Sequence, residues 1–313
     1  MPLSPRSISL NTVLLLFGFL VCSSAQAADT LELEQVTDNV YAIVGSLGNR
    51  TPENLGNNAT FGFVVTTAGV VLIDSGGTYL GARELHEQIK RVTDKPVVTV
   101  INTGGQDHRW LGNGYFKALG ADIIASKIAV EDQIARKQDE LFILGNLVGD
   151  KGLQGTNAVY ANKTFDTAMQ FELGGTTFEI HHASPAHTPG DSFVWLPKQH
   201  VMFTGDIVFT ERMLGILDHS HSKDWVTAYQ AMAAYQPKYV VPGHGHPTTL
   251  AKAKADTYDY LVFLRQAVAN FMKTGGDISE VSKIDQSQYK YLLNYQTLAG
   301  RNAQRVYSEL EWE

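Results

Sequence analysis

Apolar positions along this chain fall into two kinds of run, short β-rich stretches and longer stretches with helical spacing, and the two alternate. Val40 to Val44 predicts a strand, and Phe61 to Ile73 a hairpin turning near Ala68-Gly69. Thr78 is placed to cap a helix with Ala82, Leu85, Ile89 and Val92 on one face, which Pro96 closes. Val97 to Ile101 then reads as a buried strand, Tyr115 to Leu119 as a short helix and Asp122 to Ala125 as another strand. A long amphipathic helix follows, with Ile134, Leu141, Leu144 and Val148 on its inner face, and Gly149 to Tyr160 reads as loop. Hairpins are expected over Phe171 to His181, around Gly174-Gly175, and over Ser192 to Phe203, around Pro197-Lys198. Trp225 to Ala234 predicts a helix, Tyr239 to Val241 a strand, and Leu261, Leu264, Val268 and Phe271 one face of a further helix. Ile284 to Glu313 is polar and aromatic with no assigned element. Alternation of this kind implies a layered α/β arrangement with sheets inside and helices outside.

The first residues break the pattern. Arg6 is the only charge before Asp29, Val13 to Cys22 is apolar, and Ala25-Gln26-Ala27 offers a small-x-small cleavage site. The run is shorter than the ~20 apolar residues a bilayer span needs. Residues 1–28 are therefore expected to be a cleaved signal peptide, and residues 29–313 one domain with a C-terminal helical extension. A periplasmic or secreted location follows, with no stable membrane insertion after cleavage. Cys22 is the only cysteine, so the mature chain would have neither disulfides nor thiolate chemistry. A net charge of -7 without a Lys/Arg cluster speaks against nucleic acid as a partner.

The histidines and several aspartates fall in four segments of one form, each a short apolar strand entering a Gly- or Pro-marked loop. These loops carry Gly104-Gly105-Gln106-Asp107-His108, then Ala186-His187-Thr188-Pro189-Gly190-Asp191, then Gly205-Asp206, and last Pro242-Gly243-His244-Gly245-His246. Ligands at the ends of neighbouring strands are how a rigid scaffold brings polar groups to one point. Imidazole and carboxylate donors suit zinc, and also iron or manganese.

Asn102-Thr103-Gly104-Gly105-Gln106-Asp107-His108, with Gly112-Asn113, resembles an altered copy of the metallo-β-lactamase superfamily motif His-x-His-x-Asp-His. His187, Asp206 and His244 match the family's later metal-binding positions, and Asp74 a structural acidic residue, over Val40 to Pro247. The resemblance implies the α+β metallo-β-lactamase fold, an αββα sandwich of two central sheets flanked by helices. It also implies a metal-dependent hydrolase acting on a small molecule, with zinc as the cofactor, one ion or two. Gly104 and Gln106 replace the first two histidines, which leaves the first site only His187 and Asp206. Asp107, His108, Asp206 and His244 make up the second, so one metal there is expected. Asp107 and His187 are the expected catalytic groups: Asp107, or Asp206, would orient or deprotonate the water, and His187 would act as general base or hydrogen-bond donor. Gln106, His219, His221 and His246 are auxiliary candidates.

The chain is further similar to exported accessory hydrolases of sulfur-oxidation and quinoprotein systems, including a Tyr-x-Glu-x-Glu-like end at Tyr307, Glu309 and Glu311. That similarity implies a periplasmic protein partner. Two alternatives stand beside the hydrolase: a β-lactamase proper, and an inactive module that binds a metal or ligand.

Overall fold

The computed structural model describes Met1 and residues 31–313. The expected signal peptide, beyond Met1, lies outside the described residues. Twelve strands are ordered along the chain. They are β1 (Glu32–Thr37), β2 (Val40–Val44), β3 (Thr60–Thr66), β4 (Gly69–Ile73), β5 (Val97–Ile101), β6 (Asp122–Ser126) and β7 (Lys163–Phe165). After these come β8 (Ala168–Leu173), β9 (Thr176–His181), β10 (Phe193–Leu196), β11 (Val201–Phe203) and β12 (Tyr239–Val241). The helices are α1 (Tyr79–Lys90), α2 (Asp107–Trp110), α3 (Asn113–Ala118), α4 (Lys127–Gly152), α5 (Ser222–Ala233), α6 (Leu250–Ala253), α7 (Asp259–Lys273) and α8 (Tyr295–Glu311).

Strands β1 to β7 form one sheet in sequence order, antiparallel as far as β4 and parallel from β4 to β7. The second sheet runs β12-β11-β10-β9-β8, with β11 and β12 parallel. A shared core of Val64, Val71 and Ile101 from the first sheet and Ile180, Val194 and Phe203 from the second joins the two faces. On the far side of the first sheet, Leu85 and Ile89 of α1 and Phe116 of α3 pack against Phe63, Leu72 and Val100. Behind the second, Trp225 of α5, Leu264 of α7 and Val306 of α8 pack with Met202 and Val240. The layers are therefore helix, sheet, sheet, helix, each hydrophobic face buried on the next. Among the described residues no helix is long and apolar enough to cross a membrane.

Three differences from the sequence reading have physical causes. Helix α4 runs through Val148 as expected, but Gly149, with φ 72°, only interrupts it, and a further helical turn to Gly152 occupies the start of the stretch read as loop. Ile134, expected on its inner face, is 54% exposed, while Asp132, Gln133 and Glu140 are buried beside the site loops. The final stretch holds α8, whose inward positions are the small or polar Ala299, Asn302 and Ala303 with Val306. Loops following β4, β5, β9, β11 and β12 carry the polar residues described next.

Candidate metal centre

His108, Asp206 and His244 are buried, and one donor atom from each lies within 4.8 Å of the others. His108 Nε2 is 3.2 Å from Asp206 Oδ2, and His244 Nε2 is 3.2 Å from Asp206 Oδ1. His244 Nδ1 donates to Asn58 O at 2.8 Å, which leaves Nε2 with its lone pair towards Asp206. That arrangement, the far nitrogen tied to a carbonyl and the near one free, is how metal-binding imidazoles are held. Burial, reinforced by the Arg212 charge and opposed by Asp206, keeps the His244 ring neutral. Burial also works to protonate Asp206, but Arg109 and His108 outweigh it and hold the carboxyl well below its ordinary range.

Arg109 is the centre of the buried polar frame, with no solvent exposure. It donates from Nη2 to Asp206 Oδ1 at 2.6 Å, from Nε to Asp206 Oδ2 at 3.2 Å and from Nη1 to Asp74 Oδ2 at 2.9 Å. Its remaining bonds go to Thr60 O at 3.1 Å and Gly243 O at 2.9 Å. One guanidinium thus ties the ends of β3, β4, β11 and β12 to the loop after β5. Asp74 sits in that frame at φ 65°, accepting from Thr103 N at 2.7 Å.

A model of the metallo-β-lactamase superfamily matches residues 56–244, well over half of the chain. The chain belongs to the metallo-β-lactamase superfamily. Among curated relatives it is 27% identical over 227 residues to a type 2 metallo-β-lactamase of Elizabethkingia meningoseptica, covering 70% of this chain and 80% of the relative. It is also 27% identical to a type 2 metallo-β-lactamase of Bacillus sp. (strain 170), covering 69% of this chain and 77% of that one. The fold matches a metallo-β-lactamase from Pontibacter korlensis at TM-score 0.59 and 21% identity, over 74% of this chain and 99% of the other. It matches the stereoselective inverting sec-alkylsulfatase Pisa1 from Pseudomonas sp. at TM-score 0.69 and 20% identity, over 89% of this chain and 50% of that one.

Superfamily members are metal-dependent hydrolases that typically bind zinc, and the donors here fit such an ion. Separations of 3.2 Å match the edge of a tetrahedron with bonds near 2.0 Å, roughly 3.3 Å. Two imidazoles and one carboxylate leave a coordination position open, as catalytic zinc sites do, and the same set suits iron(II).

Asp107 was expected among these ligands, and its carboxylate is engaged elsewhere. Oδ1 accepts from Arg50 Nη2 at 2.5 Å and Nε at 3.0 Å, and from the His108 backbone N at 2.7 Å. Burial opposes ionisation of Asp107, yet Arg50 and His108 hold its pKa below the ordinary value. With Gly104 and Gln106 at the two histidines of His-x-His-x-Asp-His, counting onward puts His108 at the Asp and Arg109 at the last His. Asp107 falls on the intervening x. Asp107 turns its carboxylate to Arg50, while His108 turns Nε2 to Asp206.

The remnant of the first site is filled by protein. A Cβ at position 104 would lie inside contact distance of Asp191 Oδ1, and one at position 105 would overlap Asp132 Oδ2. Asp191 accepts from Thr188 N at 2.9 Å and from Thr188 Oγ1. Gln106 reaches the cavity in front of the metal donors, its Oε1 buried without a partner. His187 lines the same cavity and donates from Nδ1 to Gly215 O at 3.1 Å, and burial drops its pKa to about 3. His219 lies beside it, ring centroids 6.4 Å apart, with Nε2 buried and unpartnered. His221 is exposed next to Asp224 and takes no part. His246 stands apart with Glu211, at 2.8 Å, and with Glu32 and Glu34.

Arg50, Arg109 and Arg212 were not anticipated. Arg109 was legible in principle, because strict spacing through the motif sets it at a ligand position.

Proposed function

We propose that the protein is an exported hydrolase that uses one zinc ion held by His108, Asp206 and His244 to cleave an ester, thioester or amide-type bond. The observation that carries this is the convergence of three buried donor groups within 4.8 Å of one another, two of them lining a cavity open to a substrate. A bound divalent ion would supply a Lewis acid for the scissile group's oxygen and would acidify water.

The chain's own residues divide the remaining tasks. Arg109 fixes both oxygens of Asp206, so the carboxylate cannot rotate away from the imidazoles. Asp107 acts behind the ligands, holding Arg50 over His108, whose Nδ1 is 3.1 Å from Arg50 Nη2. His187, neutral and with Nδ1 committed to Gly215 O, presents Nε2 as an acceptor. It is placed to hold the proton of a water or substrate hydroxyl rather than to donate one. Phe209 stacks on His244 at 4.4 Å between centroids and keeps the ligand ring away from bulk water.

The test is metal content by mass spectrometry together with turnover of an ester and thioester panel. About one ion per chain, lost in His108→Ala and kept in Asp107→Ala, is expected for this donor set. Retention of metal by His108→Ala would overturn the assignment. Export is checked by N-terminal sequencing of protein recovered from the periplasm.

A β-lactamase reading has one support, the names of the curated relatives. Hydrolysis of a chromogenic cephalosporin at rates above those of simple esters would favour it. The altered ligand positions, Gly104 and Gln106, count against it.

A further inference from the structure

The family model ends at residue 244, yet part of the cavity wall comes from beyond it. Asn294, Thr297, Leu298 and Arg301, at the start of α8, line the cavity of about 450 Å³ in front of His108 and His244. About one turn after Leu298 on the same helix stands Asn302, which is 1% exposed. Its carboxamide is spent on the loop that follows β11.

Asn302 Nδ2 donates to Leu214 O at 2.8 Å, and Oδ1 accepts from Ile216 N at 2.9 Å. Neither backbone group has a backbone partner among the described residues, so Asn302 satisfies both. A reversed amide would set donor against donor and acceptor against acceptor, which fixes its orientation. The second Nδ2 proton goes to the Tyr260 hydroxyl at 2.9 Å, and that hydroxyl donates to Gln286 Oε1 at 3.0 Å. Gln286 Nε2 in turn donates to Ala299 O at 2.8 Å. Tyr260 and Gln286 are buried as well, and a buried network with every member satisfied is rigid.

Between Leu214 and Ile216 lies Gly215, whose carbonyl accepts from His187 Nδ1 at 3.1 Å. The same loop holds His187 a second time. Ser220 Oγ donates to His187 O at 2.7 Å and accepts from Leu217 N at 3.0 Å. Residues 214–220 belong to no strand or helix, and α8 grips them further along. Arg305 pairs with Asp218 at 3.0 Å, and Glu309 Oε2 accepts from Ser222 N at 3.0 Å. A carbonyl against Nδ1 keeps the imidazole proton there and leaves Nε2 as an acceptor; without it, either nitrogen can carry the proton.

We propose that Asn302 is a positioning residue, which holds the Gly215 carbonyl against His187 Nδ1 and so keeps His187 Nε2 as the acceptor at the cavity. Helix α8 thereby sets the tautomer of a site residue that it does not touch. The clasp stands on these contacts alone; its bearing on turnover rests on the hydrolase reading.

The experiment is long-range proton–nitrogen NMR of the purified protein carrying isotope-labelled histidine, which shows which ring nitrogen bears the proton, beside kcat and KM on the ester and thioester panel. His187→Gln assigns the His187 signals. In the parent the proton is expected on Nδ1. In Asn302→Ser a mixture of the two tautomers is expected, with kcat down about tenfold or more and KM within about twofold. Tyr260→Phe removes only the hydroxyl behind the clasp, so it should lower the melting temperature and leave the tautomer as in the parent. A merely structural role for Asn302 would not separate these two variants. Asn302→Asp, which keeps the acceptor for Ile216 N and loses the donor to Leu214 O, serves if the serine variant does not fold. A proton on Nε2 in the parent, an unchanged tautomer in the Asn302 variants, or an unchanged kcat beside a mixed tautomer overturns the proposal. If the tautomer follows Asn302 while no ester or thioester is turned over, the clasp stands and the hydrolase reading falls.

Discussion

Replacing Arg109 by methionine tests the electrostatic frame on which the site depends. Methionine fills much of the same volume but leaves Asp74 and Asp206 facing each other without a cation, both buried. Removing one partner of a buried ion pair destabilises by about 3–5 kcal/mol. Two pairs are lost here, but the penalties do not add fully. Asp74 keeps its bonds from Thr103, and Asp206 keeps its contacts with His108 and His244. The carbonyls of Thr60 and Gly243 also lose a donor, which contributes roughly 1–3 kcal/mol each where they stay dry. A loss of about 4–6 kcal/mol is expected, a large share of the roughly 5–15 kcal/mol available to a folded protein.

Urea denaturation followed by tryptophan fluorescence reads it, Trp110 being one residue away. Asp74→Asn in the Arg109→Met background should recover part of the loss, with a coupling of about 1–3 kcal/mol between the two changes. Added zinc should raise the midpoint more in Arg109→Met than in the parent, because an ion replaces the missing countercharge on Asp206. A variant within about 1 kcal/mol of the parent would refute the reasoning, since no buried ion-pair network of this kind is lost so cheaply.

Gly104→His, which formally restores a family histidine, is expected to destabilise by roughly 1–3 kcal/mol without adding a second metal, since its Cβ meets Asp191; denaturation and metal analysis check both. Glu140→Gln should flatten the pH dependence of stability. Burial, with the Asp107 charge and against Arg136, pushes the Glu140 carboxyl up from 4.5 to about 8. A raised folded pKa stabilises fully below the unfolded value and is lost as pH rises through the folded one. The parent should therefore lose urea resistance relative to Glu140→Gln between pH 5 and 8, and a parallel pair of curves would count against it. Asp107→Asn should keep the metal and reduce turnover, because it releases Arg50 from above His108; loss of metal would return Asp107 to the ligand set.

The hairpins at Phe61 to Ile73 and Phe171 to His181 were legible because alternation and a Gly turn are local signals. So was the idea that strand ends carry the polar groups. Helix α4 misled because apolar spacing assigns polar residues to solvent. Here Asp132 and Glu140 turn inward to bond Arg136, and Ile134 is left outside. Helix α8 was hidden for the same reason, since its inward face includes Asn302, which bonds Leu214 O and the Tyr260 hydroxyl. Hydropathy reads transfer free energies and cannot see a polar group whose partners arrive from distant segments.

The arginines carry that argument furthest. No hydropathy pattern marks Arg50, Arg109 or Arg212, whose principal partners lie 57, 97 and 164 residues away in sequence, and only motif spacing points to Arg109. Yet they decide the character of the site. With Asp107 turned to Arg50, the donor set brings one carboxylate rather than two, and Arg109 is shared between that carboxylate and Asp74. A divalent ion bound there would stand beside Arg212, which has no carboxylate partner among the described residues. Positive potential in a low-dielectric cleft favours an anionic ligand over a neutral one.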